Sequence, residues 1–207
     1  MKKKSNGQSV ENSRRGEILV AAARLFREKG FDAATIRDIT GMVGIASGST
    51  FCHFKSKRDM LDAVAIEGMQ HLLAEAEVIA HRPLSAEDRL LLLTRCHMAF
   101  LHDSPNRDFV AVLFYELRSL SPQARETVME LMNRYEAIWQ NCLGMISPSR
   151  PSSTNSNLLH RLLFGALNWT VQWYQPEGQP APEFLAEEIA SVLLWGIKAV
   201  PGREASL

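Results

Sequence analysis

Between positions 46 and 57 the chain reads Ala46-Ser47-Gly48-Ser49-Thr50-Phe51-Cys52-His53-Phe54-Lys55-Ser56-Lys57, and these residue types suit one kind of chemistry. Gly48 and the small Ser47 and Ser49 let a backbone approach DNA closely, and hydroxyls and helix-terminal N–H groups donate to phosphate oxygens. His53, Lys55 and Lys57 add donors just beyond. Cys96-His97 and His102-Asp103 invite a nucleophile or metal reading, but neighbours on a helix point about 100° apart. There is no His-Glu-x-x-His pair, phosphate-binding glycine loop or Gly-x-Ser-x-Gly elbow, so we expect no enzyme, no metal site and no cofactor. The three cysteines, Cys52, Cys96 and Cys142, are odd in number and lack metal-ligand spacing, which fits a reducing compartment. Cys52 reads either as a packing residue or as a thiol open to oxidation.

Charge separates these features along the chain. The formal net charge of the 207 residues is zero, yet through Arg58 there are 12 Lys and Arg against 5 Asp and Glu, and in the remainder 11 against 18. A basic head precedes an acidic body. Excess positive charge confined to a short segment is the footprint of a phosphate-binding surface, a solvated basic face being the plain alternative. With 46% hydrophobic and 22% charged residues the composition is that of one or two compact domains. It excludes collagenous, disordered and disulfide-framework classes, and no apolar run reaches the roughly 18 to 20 residues of a membrane span. The basic start, Met1-Lys2-Lys3-Lys4, leads into a polar stretch rather than an apolar leader, so the expectation is a soluble, cytoplasmic protein.

The elements that must position the segment are helical throughout. Ile18, Ala21, Ala22, Leu25 and Phe26 recur at helical intervals, predicting an amphipathic helix over about 13–29 that ends at Gly30. Thr35 with Asp38 forms a capping box for a short helix closing at Gly44, and a third segment follows over 46–54. Ser56 with Asp59 is a second box, opening a long helix over about 57–81 that Pro83 stops. Ser85 with Asp88 starts a helix to about Asp103 that carries Leu90, Leu93, His97, Phe100 and Leu101 near one face. The run Phe109 to Leu117 should be buried. Ser121-Pro122 begins a helix reaching about Ile146, residues 147–153 form a loop, and the last two helices cover about 157–175 and 182–200. The expectation is an all-α fold of about nine helices.

Three short helices before a longer one, with Gly44-Ile45 between the second and third, describe a helix-turn-helix whose later helix lies in the major groove. Over residues 18–61 the chain resembles the TetR/AcrR family of one-component repressors. The matches are Ile18-x-x-Ala21-Ala22-x-x-Leu25-Phe26, Gly30-Phe31, Thr35-Ile36-x-x-Ile39, Gly44-Ile45-x-x-Gly48, Phe51-x-His53-Phe54-x-Ser56-Lys57 and Leu61. The resemblance implies a disordered basic arm over 1–12, a DNA-binding domain over 13–58 and an effector-binding and dimerisation domain over 59–207. DNA contacts are then expected from Thr35, Arg37, Ser47, Gly48, Ser49, Phe51, His53, Lys55 and Lys57, with Lys57 on a phosphate. His53 by itself reads equally as a packed or surface histidine. Four positions depart from the family pattern: Val43 for Ala, Ala46 for a capping residue, Thr50 for Leu or Ile, and Phe51 for Tyr.

In the acidic body the helix over 157–175 has two apolar stripes. Leu158, Leu162, Ala166, Trp169 and Trp173 make one; Leu159, Leu163, Leu167, Thr170 and Tyr174 make the other. One face should pack within the subunit and the other meet a second copy, with the helix over 182–200 as companion in a four-helix interface. A third, polar stripe of Arg161, Gly165, Asn168 and Gln172 is either solvent-facing or the lining of a pocket. The run Arg161 to Gly178 is also similar to the C-terminal segment of family members that respond to acyl-CoA thioesters. That similarity implies a CoA ester as effector, with Arg161, Asn168, Trp169, Gln172 and Trp173 around it. Phe109, Val112, Leu113, Phe114, Met129, Met132 and Trp139 are either its acyl cavity or plain core. The whole reads as a ligand-responsive repressor, a homodimer on a palindromic DNA operator. The alternative is a small-molecule-binding or protein-interaction module whose degenerate head no longer reads DNA.

Overall fold

The structure, a computed structural model, describes residues 5–146, 154–175, 177 and 179–199, with side chains over 14–146, 158–175, 177 and 179–196. These hold α1 (Ser5–Lys29), α2 (Ile36–Val43), a 3-10 helix (Ser47–Cys52), α3 (Lys57–Ala80), α4 (Ala86–His102), α5 (Asn106–Tyr115), a 3-10 turn (Leu117–Ser119), α6 (Pro122–Ile146), α7 (Thr154–Trp173) and α8 (Pro182–Ala199). No strand occurs among the described residues, so the all-α expectation stands. The loop expected over 147–153 lies outside them. None of the described helices is long and apolar enough to cross a membrane.

Local chemistry sets the boundaries. Gly30 and Gly44 end α1 and α2 with φ of 79° and 72°, left-handed values that a side chain would strain. Thr35 Oγ1 accepts the Asp38 N–H at 3.1 Å and Asp38 Oδ2 accepts the Thr35 N–H at 3.2 Å, completing the expected box. At α3 the second box closes one residue early: Ser56 Oγ accepts the Asp59 N–H, but Asp59 Oδ2 accepts the N–H of Lys55.

Three expectations need correction. The third segment is a 3-10 helix rather than an α-helix, and its N-cap residue, Ala46, supplies no side-chain hydrogen bond that would help an α-turn form. α1 starts at Ser5, so residues 5–12, expected as an arm, are its first turns; once nucleated, a helix extends at one hydrogen bond per residue through a proline-free sequence. In the run over 109–117, Val110, Ala111 and Val112 are buried but Phe114 and Tyr115 are exposed, because a ten-residue helix has only one inward face.

The chain folds as two compact units that interleave along the sequence instead of following one another. The first comprises residues 1–70 and 104–130, the second 71–103 and 131–207. α5 thus belongs with α1 and α2. Buried Asp108 of α5 holds Arg27 of α1 at 2.5 Å, and Val110 and Val112 join a core of Ile18, Leu19, Phe26, Ile39, Phe54 and Leu61. The core of the second unit is Leu90, Leu93, Met98, Trp139, Leu143, Leu163 and Leu167.

Candidate nucleic-acid interface and interior polar cluster

In the first unit the 3-10 helix is fixed from beneath and open above. Thr50 is fully buried and its hydroxyl donates to Ser47 O at 2.7 Å, while Phe54 is buried just beyond. Ser47 Oγ lies 3.1 Å from Thr40 Oγ1, whose own proton goes to Arg37 O, which leaves Ser47 as donor to α2. Side chains three apart eclipse in a 3-10 helix. Thr50 lies on the buried column, whose other member, Ser47, bonds to α2 yet is exposed at its N-terminal end, while Gly48 with Phe51 and Ser49 with Cys52 form two outward columns. All four are exposed, Phe51 by 57%.

The predicted DNA contacts therefore divide. Gly48, Ser49, Phe51 and Lys55 are exposed, as is Arg37 on α2, whose guanidinium meets no acceptor among the described residues; His53 is half-buried. Thr35 is exposed, with its hydroxyl engaged in the α2 cap. Lys57 is turned away from this face. Its Nζ donates to Phe31 O (2.6 Å), Asp32 O (3.2 Å) and Ala34 O (2.8 Å) and sits 4.4 Å from the centre of the Phe31 ring. An ammonium has three protons, and here all three close the loop that leads into α2. This role was not visible in the sequence, because the Lys57 acceptors lie 23 to 26 residues away.

In the second unit α7 follows its two-stripe pattern. Leu163, Leu167, Thr170 and Tyr174 are buried, whereas Leu158, Leu162, Trp169 and Trp173 are exposed, Trp169 by 65%. α8 likewise exposes Phe184, Val192 and Trp195, the last by 74%. Leu162, Ala166, Ile189 and Val192 line an apolar groove between the two helices.

The five expected effector contacts do not come together. Arg161, Trp169, Gln172 and Trp173 are exposed, and only Asn168 turns inward. Its Oδ1 accepts from His97 Nε2 at 2.8 Å, which leaves His97 Nδ1 to accept the Tyr135 hydroxyl proton at 2.9 Å. Trp139 and Phe164 wall this chain with rings 6.0 and 5.0 Å from that of His97. Burial pushes His97 down to about 4, so the imidazole is neutral, and burial raises Tyr135 well above its ordinary value. His160 Nε2 is buried against the same rings with no hydrogen-bond partner among the described residues. The signal available in the sequence was His97 on the apolar face of α4. Phe114 and Met129, two of the candidate cavity residues, are exposed and enclose nothing. Burial also raises the thiols of Cys96 and Cys142 to about 11, while Cys52 is exposed. No group of three or more His, Cys, Asp or Glu among the described residues is placed to hold a metal.

A capped short helix, a left-handed glycine turn and an outward 3-10 helix on a three-helix core, in a chain with a separate helical unit, define a helix-turn-helix regulator. The chain belongs to the TetR family: residues 18–64 match the model of bacterial regulatory proteins of the tetR family, and residues 83–197 that of the tetracyclin repressor-like C-terminal domain. It is 31% identical over 193 residues to the HTH-type transcriptional repressor KstR2 of Rhodococcus jostii, covering 91% of this chain and 93% of that protein. Among solved structures, the ketosteroid transcriptional regulator KstR2 of Mycobacterium tuberculosis superposes with a TM-score of 0.78 at 28% identity, covering 89% of this chain and 95% of that one. The superantigen PfiT superposes with a TM-score of 0.70 at 38% identity, covering 87% and 95%.

Proposed function

We propose that the protein is a ligand-responsive transcriptional repressor that binds a palindromic operator as a homodimer in the cytoplasm and leaves it when a small molecule occupies the second unit. The observation that carries this reading is the division of the 3-10 helix: the Thr50 side chain is buried in the fold, while Gly48, Ser49 and Phe51 stand outward beside Arg37, whose guanidinium meets no acceptor among the described residues. That face suits close backbone approach and hydrogen bonding to phosphates and base edges. The exposed faces of α7 and α8 support a dimer, whose two heads would meet half-sites about 34–36 Å apart. Resemblance to KstR2, a named repressor, points the same way. Purified protein should retard DNA from upstream of its own gene in a sequence-selective, salt-sensitive manner, and no such retardation rejects the reading.

For the effector we propose an acyl-CoA thioester, on the likeness of residues 161–178 to acyl-CoA-responsive family members, with exposed Arg161 toward the anionic portion. Calorimetry with a panel of CoA esters should show a signal that Arg161→Ala loses. Equal heats from both proteins would remove Arg161 from the site.

A second reading is an interaction module with a head that has ceased to read DNA. Ala46 provides no cap, Phe51 lacks a hydroxyl, and PfiT, a structure named for a different activity, is among the similar folds. Phe51→Tyr separates the two: operator binding by the variant alone favours the module, and tight binding by the natural protein dismisses it.

A further inference from the structure

The junction between α1 and α2 is gripped by a side chain from a distant element. Phe31 is the first residue past the glycine that ends α1, and its N–H donates to Glu116 Oε1 at 2.8 Å, across 85 residues of sequence. The other oxygen, Oε2, accepts the Ser119 hydroxyl at 2.8 Å, and Ser119 O in turn accepts from Arg58 at 2.8 Å. Both carboxylate oxygens are therefore held, and Glu116 stands at the C-cap of α5. α5 is itself fixed at two further points, by Asp108 on Arg27 and by Phe109, whose Cβ would lie 2.9 Å from any Cβ added to Gly68 of α3. From Phe31 only three residues lead to Thr35, the cap of α2.

We propose that Glu116 is the positioning residue of the DNA-reading surface: it fixes the chain at Phe31 and thereby sets where α2 and the 3-10 helix after it stand. This rests on the repressor reading for its consequence, weaker operator binding, but not for the placement itself. The gripping group is anionic and points at a backbone donor, so it contributes by orientation and contacts no nucleic acid.

The test uses the full-length protein and two readouts. Glu116→Ala should speed amide hydrogen exchange of the Phe31–Val43 segment, leave α4 and α8 as in the natural protein, and weaken operator binding, each by about tenfold or more, as loss of a hydrogen bond to a charged acceptor implies. Glu116→Gln keeps an oxygen for the Phe31 N–H and should restore both. Ser119→Ala removes only the second hold on Glu116 and should give a smaller change in the same direction, which keeps the test decisive if the alanine variant does not fold. Unchanged exchange in Glu116→Ala or Ser119→Ala, or a glutamine variant as impaired as alanine, overturns the proposal. If the natural protein binds no operator, the repressor reading fails, and the exchange data alone decide the role of Glu116.

Discussion

Two lysine-and-arginine positions that look alike in the sequence have opposite employment, and mutation should separate them. Arg37 is exposed and has no partner among the described residues, so Arg37→Ala should leave thermal stability within about 0.5 kcal/mol while weakening operator binding and lowering the salt slope by about one. Lys57→Met should act first on stability. It abandons three carbonyls and a ring contact, so unfolding in urea should show a loss of about 1–3 kcal/mol, with the salt slope unchanged. A Lys57 variant that altered the slope and not the stability would return this residue to the DNA surface. His97 gives a pH signature. Its folded pKa of about 4 lies below the ordinary 6.5, so the unfolded chain takes up the proton first. Stability is fully present above about pH 6.5 and declines as pH falls toward 4, by about 3 kcal/mol for this group. Denaturant midpoints at pH 7 and pH 4.5 should differ less in His97→Gln than in the natural protein; equal differences would place the pH dependence elsewhere.

Among elements, α5 is the one whose role follows from packing rather than pattern. Gly68→Ala would set a methyl 2.9 Å from Phe109 Cβ, well inside contact distance, and should destabilise the first unit by about 1–3 kcal/mol. Phe109→Gly, which removes the clashing Cβ, should recover part of that loss in the same chain, and strict additivity in the double-mutant cycle would show that the two positions do not collide. This element also marks what could be read in advance. The cap of α2 was legible because Thr35 and Asp38 are three residues apart, and the stripes of α7 because a helix repeats its faces at a fixed interval. The grip of Asp108 on Arg27 spans 81 residues, and the His97–Asn168 bond spans 71. Nothing local specifies such partners, since any exposed acid or amide would look the same. The 3-10 form of residues 47–52 was hidden for a different reason: glycine and serines carry weak preferences, and the burial of Thr50 decides the geometry.

For the molecule as a whole, the exposed apolar faces of α7 and α8 predict assembly. Leu162→Glu combined with Val192→Glu places charge on both walls of the groove and should convert a dimer to a monomer in sedimentation, with operator affinity lost alongside. A dimer that survives both substitutions would direct attention to another face. Of three free thiols, Cys142 is buried and Cys96 half-buried, burial raising both to about 11, while Cys52 stands exposed on the outward side of the 3-10 helix. A maleimide fluorophore would accordingly attach first at Cys52, without engineering, and its emission would report occupancy of that surface in real time.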